Sequence, residues 1–121
     1  MKTIRVVNET RNSVLAEEAL WANSFWTRLR GLLGRPEPQE GHGLLLDPCQ
    51  SVHMWGMRYS LDVLFSDASD RVVGLKEELT PWKATKIYRS ATRVLELPVG
   101  SIQKTGTCVG DQLRFFVGDE T

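Results

Sequence analysis

Short apolar runs separated by polar turns dominate the pattern of the chain. The clearest pair is formed by residues 61–65 and 71–75, which flank the polar residues 66–70. Two apolar runs around a turn of this composition are typical of a β-hairpin. The other runs that fit a short strand are residues 4–7, 13–16, 44–46, 94–97 and 113–117. The pattern therefore predicts six or seven short strands.

One segment follows a helical period instead. Its apolar residues recur three or four positions apart, at Phe25, Leu29, Leu32 and Leu33. Asn23 and Ser24 offer an N-cap before them, and Gly34 with Pro36 ends the segment. We expect one clear helix that buries this stripe and presents Arg28 and Arg30 on its other face.

These elements predict an α+β, β-dominated fold, a small barrel or two packed sheets of six or seven short strands with one clear helix. A length of 121 residues suits a single domain over residues 1–121. The first residues show no leader pattern and no stretch reaches the length of a membrane span, so we expect a soluble, cytoplasmic protein. Cys49 and Cys108 are then expected to be reduced thiols.

The balance of charged residues limits the classes of binding partner that we expect for this protein. Fifteen Lys and Arg against fifteen Asp and Glu give a formal net charge of zero. Binders of nucleic acid and of anionic membranes usually carry a broad basic surface, so neither partner is expected. The partners left are a small anionic ligand held by a local site, or another protein.

Five ordered sequence blocks carry a resemblance to a known family. They are RLRGLLGR at 28–35, CQSVHMWGMR at 49–58, LDVLF at 61–65, VLELPVG at 94–100 and GD at 110–111. In order and spacing they resemble the domain-of-unknown-function family 192, also called uncharacterised protein family 0127. The resemblance implies a compact β-rich domain. It supplies no catalytic residue and no cofactor, because the family is named for its lack of a known activity.

The segment from Cys49 to Asp62 is the densest in reactive side chains. Cys49, His53 and Met57 are spaced four apart, so they face the same way in a helix or a strand. Thiolate, imidazole and thioether suit Cu(I) or, without the Met, zinc. Cys49 and His53 could also act as nucleophile and base. Against both hypotheses, Cys49 and Met57 are equally typical of a core and His53 of a hydrogen-bonded structural residue.

Four arginines form a second group, at Arg28, Arg30, Arg35 and Arg58. Guanidinium groups bind carboxylates and phosphates well, so the group could hold an anionic ligand. The alternative is a solvated helix face with Arg58 held by Asp62.

The remaining candidate residues for a site are three tryptophans and two carboxylates within predicted strands. Trp26, Trp55 and Trp82 could stack a ligand, but in a small domain they are expected to complete the core. Strand alternation sends Asp62 and Glu96 away from their apolar neighbours, so we expect both to face outward.

We therefore expect a non-catalytic small-ligand or protein-interaction module with a pocket around residues 49–58. The alternatives are a Cys/His-dependent hydrolase or redox enzyme and a metal-binding accessory protein. No catalytic residue, metal ligand or cofactor is assigned. The candidate ligand-binding residues are Cys49, His53, Met57, Arg58, Arg28, Arg35 and Asp62.

Overall fold

The structure is a computed structural model that describes residues 1–117. Within that range the chain forms seven strands and two short helices. In chain order they are β1 (Thr3–Asn8), β2 (Ser13–Ala22), α1 (Phe25–Arg30), β3 (His42–Leu46), β4 (Leu61–Ser66), β5 (Val72–Leu79), β6 (Arg93–Leu97), α2 (Ser101–Thr105) and β7 (Leu113–Val117).

All seven strands belong to one sheet, in the order β5-β4-β6-β3-β2-β1-β7. The hairpin β4–β5 is antiparallel, as its sequence predicts. Strands β1 and β2 form a second antiparallel hairpin, and β2 pairs with β3 in parallel. The sheet curls until its two ends touch, where the Val72 amide donates to Asp111 O at 2.9 Å and the Leu113 amide to Asp70 O at 2.8 Å. This half-barrel confirms the predicted β-dominated fold.

The central strands β3, β4 and β6 are buried on both faces. Side chains alternate across a strand, so each strand contributes to two apolar clusters. The inner face of the curl holds Leu45, Leu64 and Leu95. The outer face holds Leu44, Val63 and Val94 together with Val52 and Met54 of the connecting segments. Neither face of these three strands is open to solvent over most of its length.

The prediction that Asp62 and Glu96 face outward is wrong. Asp62 is 1% exposed and Glu96 is 5% exposed. Glu96 does point to the outer face of the curl, but α1 and the segment 49–57 cover that face. Asp62 points to the inner face, where the start of α2 covers it. The alternation of side chains along each strand correctly indicates which face of the sheet each carboxylate points to. The segments that cover the two faces determine how exposed each carboxylate is.

Helix α1 begins where the sequence predicts, but it does not bury its apolar stripe. Ser24 caps it, since Ser24 Oγ accepts the Thr27 amide at 3.2 Å and Thr27 Oγ1 accepts the Ser24 amide at 3.1 Å. None of its six residues is buried. Phe25 and Leu29 are 61% and 62% exposed, and only Leu32, just beyond the helix, enters the core. The predicted buried stripe is therefore wrong.

The tryptophans do not complete the core either. Trp26, Trp55 and Trp82 are all exposed, and aliphatic side chains of the strands fill the two clusters instead. The sequence pattern also missed α2, which has five residues and no side-chain cap. No helix among residues 1–117 is both long and apolar enough to cross a membrane.

Candidate functional site

A cavity of about 110 Å³ lies on the outer face of the curl, between residues 28–33 and the segment 49–57. We call it the Glu96 pocket, after the carboxyl group from β6 that lines it. Its polar lining includes Arg28, Cys49 and His53. Its apolar lining includes Leu29, Leu33, Trp55 and Met57. Leu29, Leu33 and Trp55 are exposed, so they form the mouth of the pocket.

Glu96 is the most unusual group in this pocket. It lies in the middle of the sheet, paired with Leu44 of β3 and Val63 of β4. Within residues 1–117 its carboxyl group has neither a hydrogen bond nor an ion pair. Burial alone raises the pKa of Glu96 to about 7. At neutral pH the group therefore holds a proton for part of the time, and either form can bind a polar ligand group.

Gly43 fixes the backbone beneath Glu96. A Cβ atom at Gly43 would lie 2.5 Å from the Glu96 carbonyl oxygen and 2.8 Å from the Leu97 side chain. Only a residue without a side chain lets β3 approach β6 this closely. The glycine therefore helps to set the position from which Glu96 enters the pocket.

Cys49 is half-buried beside Glu96. Its thiol donates a hydrogen bond to Ser51 O at 3.1 Å. Burial raises the pKa of Cys49, and the charge of Glu96 raises it further, while the backbone at Ser51 and Gln50 and the charge of Arg28 lower it. No hydrogen bond joins Cys49 to His53 in the described part of the chain. The thiol is therefore held mainly in its protonated, weakly nucleophilic form.

His53 is exposed at the mouth of the pocket. Its ring stacks on Trp55 with centroids 5.7 Å apart, and Trp55 lies 6.3 Å from Trp82. Cys49, His53 and Met57 do line one cavity, as their spacing predicts. Across residues 1–117, however, no three His, Cys, Asp or Glu side chains come close enough to hold a metal ion.

Arg28 and Arg30 bring positive charge to the same pocket. Arg28 Nη1 donates to Asp47 O at 3.4 Å, and Arg30 Nε donates to Leu33 O at 3.3 Å. The Asp47 carboxylate instead binds Arg93 at 3.2 Å and the Trp21 indole at 3.1 Å. Among the described residues, both guanidinium groups thus donate only to carbonyl oxygens, and they keep further N–H donors for an anion.

The other two arginines line a neighbouring groove. Arg35 and Arg58 border a space of about 570 Å³ with Tyr59, whose hydroxyl donates to Arg35 O at 3.1 Å. Arg58 is exposed and does not contact Asp62. The four arginines therefore form two pairs rather than one cluster.

Asp62 lies on the opposite face of the sheet from the pocket. Its carboxylate accepts the amides of Glu78 at 2.9 Å, Gly100 at 3.1 Å and Ile102 at 2.9 Å. These contacts hold β5 and the start of α2 in place. The structure brings Cys49, His53, Met57 and Arg28 together, places Arg35 and Arg58 beside them, and leaves Asp62 apart.

The main residue that sequence analysis left out of the candidate site is Glu96. Its one signal was a carboxylate between leucines in the run Val94-Leu95-Glu96-Leu97. That signal is ambiguous, because the same pattern is typical of a strand with one solvent-facing side.

Comparison with known proteins places most of the chain in one group. The model of the DUF192 family, described as "Uncharacterized ACR", matches residues 6–115. A UPF0127 protein from Thermococcus sibiricus is 32% identical over 120 residues, which are 95% of this chain and 77% of that protein.

Two crystal structures share the fold. One is a protein of unknown function from Novosphingobium aromaticivorans, with a TM-score of 0.79 and 19% identity over 93% of this chain and 83% of that one. The other, from Sinorhizobium meliloti, is described provisionally as a transcription regulator, with a TM-score of 0.80 and 22% identity over 94% of this chain and 92% of that one. At this identity the likeness shows the fold alone.

Proposed function

Because the chain belongs to the DUF192 family of uncharacterised proteins, its own site must supply the functional argument, and we propose a non-catalytic domain that binds a small ligand in the Glu96 pocket. The observation that carries the proposal is the carboxyl group of Glu96, 5% exposed and without a partner in the described residues. Burying such a group costs free energy unless something hydrogen-bonds to it. A ligand that reaches Glu96 would recover that cost.

The mouth of the pocket supports the same proposal. Leu29, Leu33 and Trp55 remain exposed around it, although burying apolar side chains away from water is favourable. Exposed apolar residues that border a cavity with polar groups inside are typical of ligand sites. The ligand would place its polar group at Glu96 and an apolar part against these three side chains.

The state of Cys49 favours binding over catalysis. A cysteine nucleophile needs a lowered pKa and a nearby base. Burial raises the pKa of Cys49, and its thiol donates to a backbone carbonyl rather than to His53. The free thiols of Cys49 and Cys108 also suit a reducing compartment, so we propose that the domain acts in the cytoplasm.

A nuclear magnetic resonance titration of the ¹⁵N-labelled protein tests the proposal. Three probes share one apolar chain and differ in the end group: hexylamine, hexanamide and hexanoate. We expect at least one of them to shift the amide signals of Leu29, Cys49, Trp55 and Glu96 saturably. Glu96→Leu should abolish these shifts, while Glu77→Gln, at an exposed position on β5, should leave them unchanged. If no probe produces saturable shifts at these residues, the proposal is wrong.

Docking of a protein partner is a second candidate function. The observation that favours it is the exposure of Phe25 and Trp26, which pack edge to face with centroids 5.2 Å apart and do not line the Glu96 pocket. A second copy of the chain would cover them. Sedimentation velocity should then show association that Trp26→Ser removes, and a monomer at all concentrations would exclude this form of the proposal.

A further inference from the structure

The Glu96 pocket presents both signs of charge to a ligand. Glu96 lines it as an acid with no partner among residues 1–117, and Arg28 and Arg30 line it as cations whose guanidinium groups donate, within the same residues, only to carbonyl oxygens. Arg28 and Glu96 shift the pKa of Cys49 in opposite directions, so both lie within electrostatic range of one thiol. Yet no salt bridge joins either arginine to Glu96 in the described structure. A ligand with two separated, opposite charges would pair with each side at once.

Ligands with a single charge fit this arrangement less well. A simple amine would pair with Glu96 but would meet the positive charges of Arg28 and Arg30. A phosphate or a simple carboxylate would pair with the arginines but would meet the buried carboxylate of Glu96. The Asp47 carboxylate is already paired with Arg93, so it does not neutralise Arg28 or Arg30. The charges therefore favour a zwitterion over an ion of either sign.

The size and the apolar lining restrict the zwitterion further. The cavity of about 110 Å³ is smaller than the roughly 150 Å³ cavity that admits a benzene molecule. It can hold the charged end of a compact ligand, while a short apolar side chain would extend over Leu29, Leu33 and Trp55 at the mouth. A ligand with an ammonium and a carboxylate on one carbon, and an apolar side chain, meets these conditions.

Building on the proposed function, we propose that the Glu96 pocket binds a free α-amino acid with an apolar side chain, with its ammonium group at Glu96 and its carboxylate at Arg28. Each contact is a charge-assisted hydrogen bond, and the planar guanidinium group of Arg28 suits a carboxylate. Arg30 adds positive charge at the same end. Neither contact requires a covalent step.

Calorimetric titration tests the two contacts separately, at about pH 7, where Glu96 is partly ionised and the amino groups of L-leucine and L-leucinamide remain mostly protonated. The probes are L-leucine, N-acetyl-L-leucine, which lacks the ammonium group, and L-leucinamide, which lacks the carboxylate. We expect L-leucine to bind about tenfold or more tightly than either derivative, which is the loss expected for one charge-assisted contact.

Three variants assign each contact to its residue. Glu96→Gln should remove the preference for L-leucine over N-acetyl-L-leucine. Arg28→Gln should remove the preference for L-leucine over L-leucinamide. Glu77→Gln, the matched change of an exposed carboxylate, should keep both preferences. Because Glu96→Gln and Arg28→Gln are each expected to lose one preference and keep the other, unfolding cannot imitate the result.

The pH dependence supplies an independent readout. The ammonium group pairs with ionised Glu96, so affinity for L-leucine should rise as the pH rises through about 7 and then level off. The other titratable groups of the described residues near Glu96 are Cys49, His53 and Tyr59, and the cationic groups are Arg28 and Arg30. His53→Gln should keep the pH dependence, and Glu96→Gln should lose it.

The outcomes separate this inference from the proposed function. Equal binding of L-leucine and N-acetyl-L-leucine by the unchanged protein overturns the amino-acid inference, and so does a Glu96→Gln variant that retains the preference. Failure of L-leucine to bind, when hexylamine, hexanamide or hexanoate does bind, overturns the inference and leaves the proposed function standing. Failure of all these compounds overturns both.

Discussion

Asp62 and Glu96 are carboxylates on the neighbouring strands β4 and β6, and both are almost fully buried. They differ in what surrounds them. Asp62 accepts three backbone amides on the inner face of the curl. Glu96, on the outer face, accepts none from the part of the chain that the structure describes, and burial raises its pKa to about 7. Burial alone therefore does not distinguish a structural carboxylate from one that is available to a ligand, whereas the count of hydrogen-bond partners does.

The physical basis of the difference is the cost of leaving a polar group unpaired. Asp62 recovers its desolvation through charge-assisted bonds and so adds to stability. Glu96 has no such bond from the described residues and so lowers stability when it is ionised. A residue that lowers the stability of its own fold is typical of a functional site.

The largest effect is expected at Asp62. Asp62→Ala should lower the free energy of unfolding by roughly 3–5 kcal/mol, because three amide donors lose a charged acceptor in a buried place. The same change at Glu96 should leave the free energy of unfolding nearly unchanged or raise it at neutral pH, since it removes a buried carboxylate that is partly ionised there and that has no hydrogen bond from the described residues. Urea denaturation measures both values. Equal losses at the two positions would show that the comparison is wrong.

The pH dependence of stability should report Glu96 directly. Its pKa is raised from 4.5 to about 7 in the folded state, so the folded protein binds the proton more tightly than the unfolded chain. The stabilisation is complete below 4.5 and is lost as the pH rises to about 7, a loss of about 3 kcal/mol.

The Glu96→Gln variant is the control for that loss. Comparing urea midpoints of the two proteins across this window isolates the contribution of Glu96, because the other carboxylates titrate in both. If both proteins show the same pH profile, then the pKa of Glu96 is not raised.

A smaller effect is expected at Gly43, beneath Glu96. Gly43→Ala should cost about 2 kcal/mol, because the added methyl group meets the Glu96 carbonyl oxygen and the Leu97 side chain. Gly34→Ala is a useful control, since its φ of 74° is strained for alanine but its Cβ would meet no atom within 4 Å. It should cost about 1 kcal/mol. A Gly43→Ala protein as stable as the unchanged one would mean that β3 can move away from β6.

The smallest effect is expected in the chemistry of Cys49. Iodoacetamide should modify Cys49 more slowly than the exposed Cys108, because burial raises the pKa of Cys49 and shields its sulfur. Glu96→Gln should speed the reaction of Cys49 a few-fold, since the charge of Glu96 also raises that pKa. Mass spectrometry of each cysteine peptide over time gives both rates. Faster reaction at Cys49 than at Cys108 would instead favour the cysteine-enzyme hypothesis.

Sequence patterns predicted well those structural elements that depend on residues close together in the chain. The turn predicted at residues 66–70 and the cap at Ser24 are determined by residues within a few positions; the cap occurs as predicted, and the turn lies one residue later, at 67–71. The sequence pattern did not predict α2, because Gly100 caps this helix without a side chain. Its position depends on Asp62, nearly forty residues earlier in the chain.

The candidate site was only partly predictable for the same reason. The spacing of Cys49, His53 and Met57 was enough to place them along one cavity, because they share one segment. The burial of Glu96 depends on connecting segments of the chain that cover the outer face of the sheet. Alternation in β6 cannot show what covers either face. The exposure of the apolar stripe of α1 likewise depends on distant residues, because side chains of the strands already fill the core.

The meeting of β5 and β7 at the two ends of the sheet has a consequence for how the molecule assembles. β7 pairs with β1, so that Val117 lies opposite Ile4, and the turn before β7 closes the curl onto the start of β5. A chain emerging from the ribosome therefore cannot close this curl until residues 111–117 have been synthesised. Such dependence on distant contacts slows folding and leaves the earlier strand edges available to neighbouring chains in the meantime. Truncation before residue 113 should thus yield an aggregating product rather than a smaller stable domain.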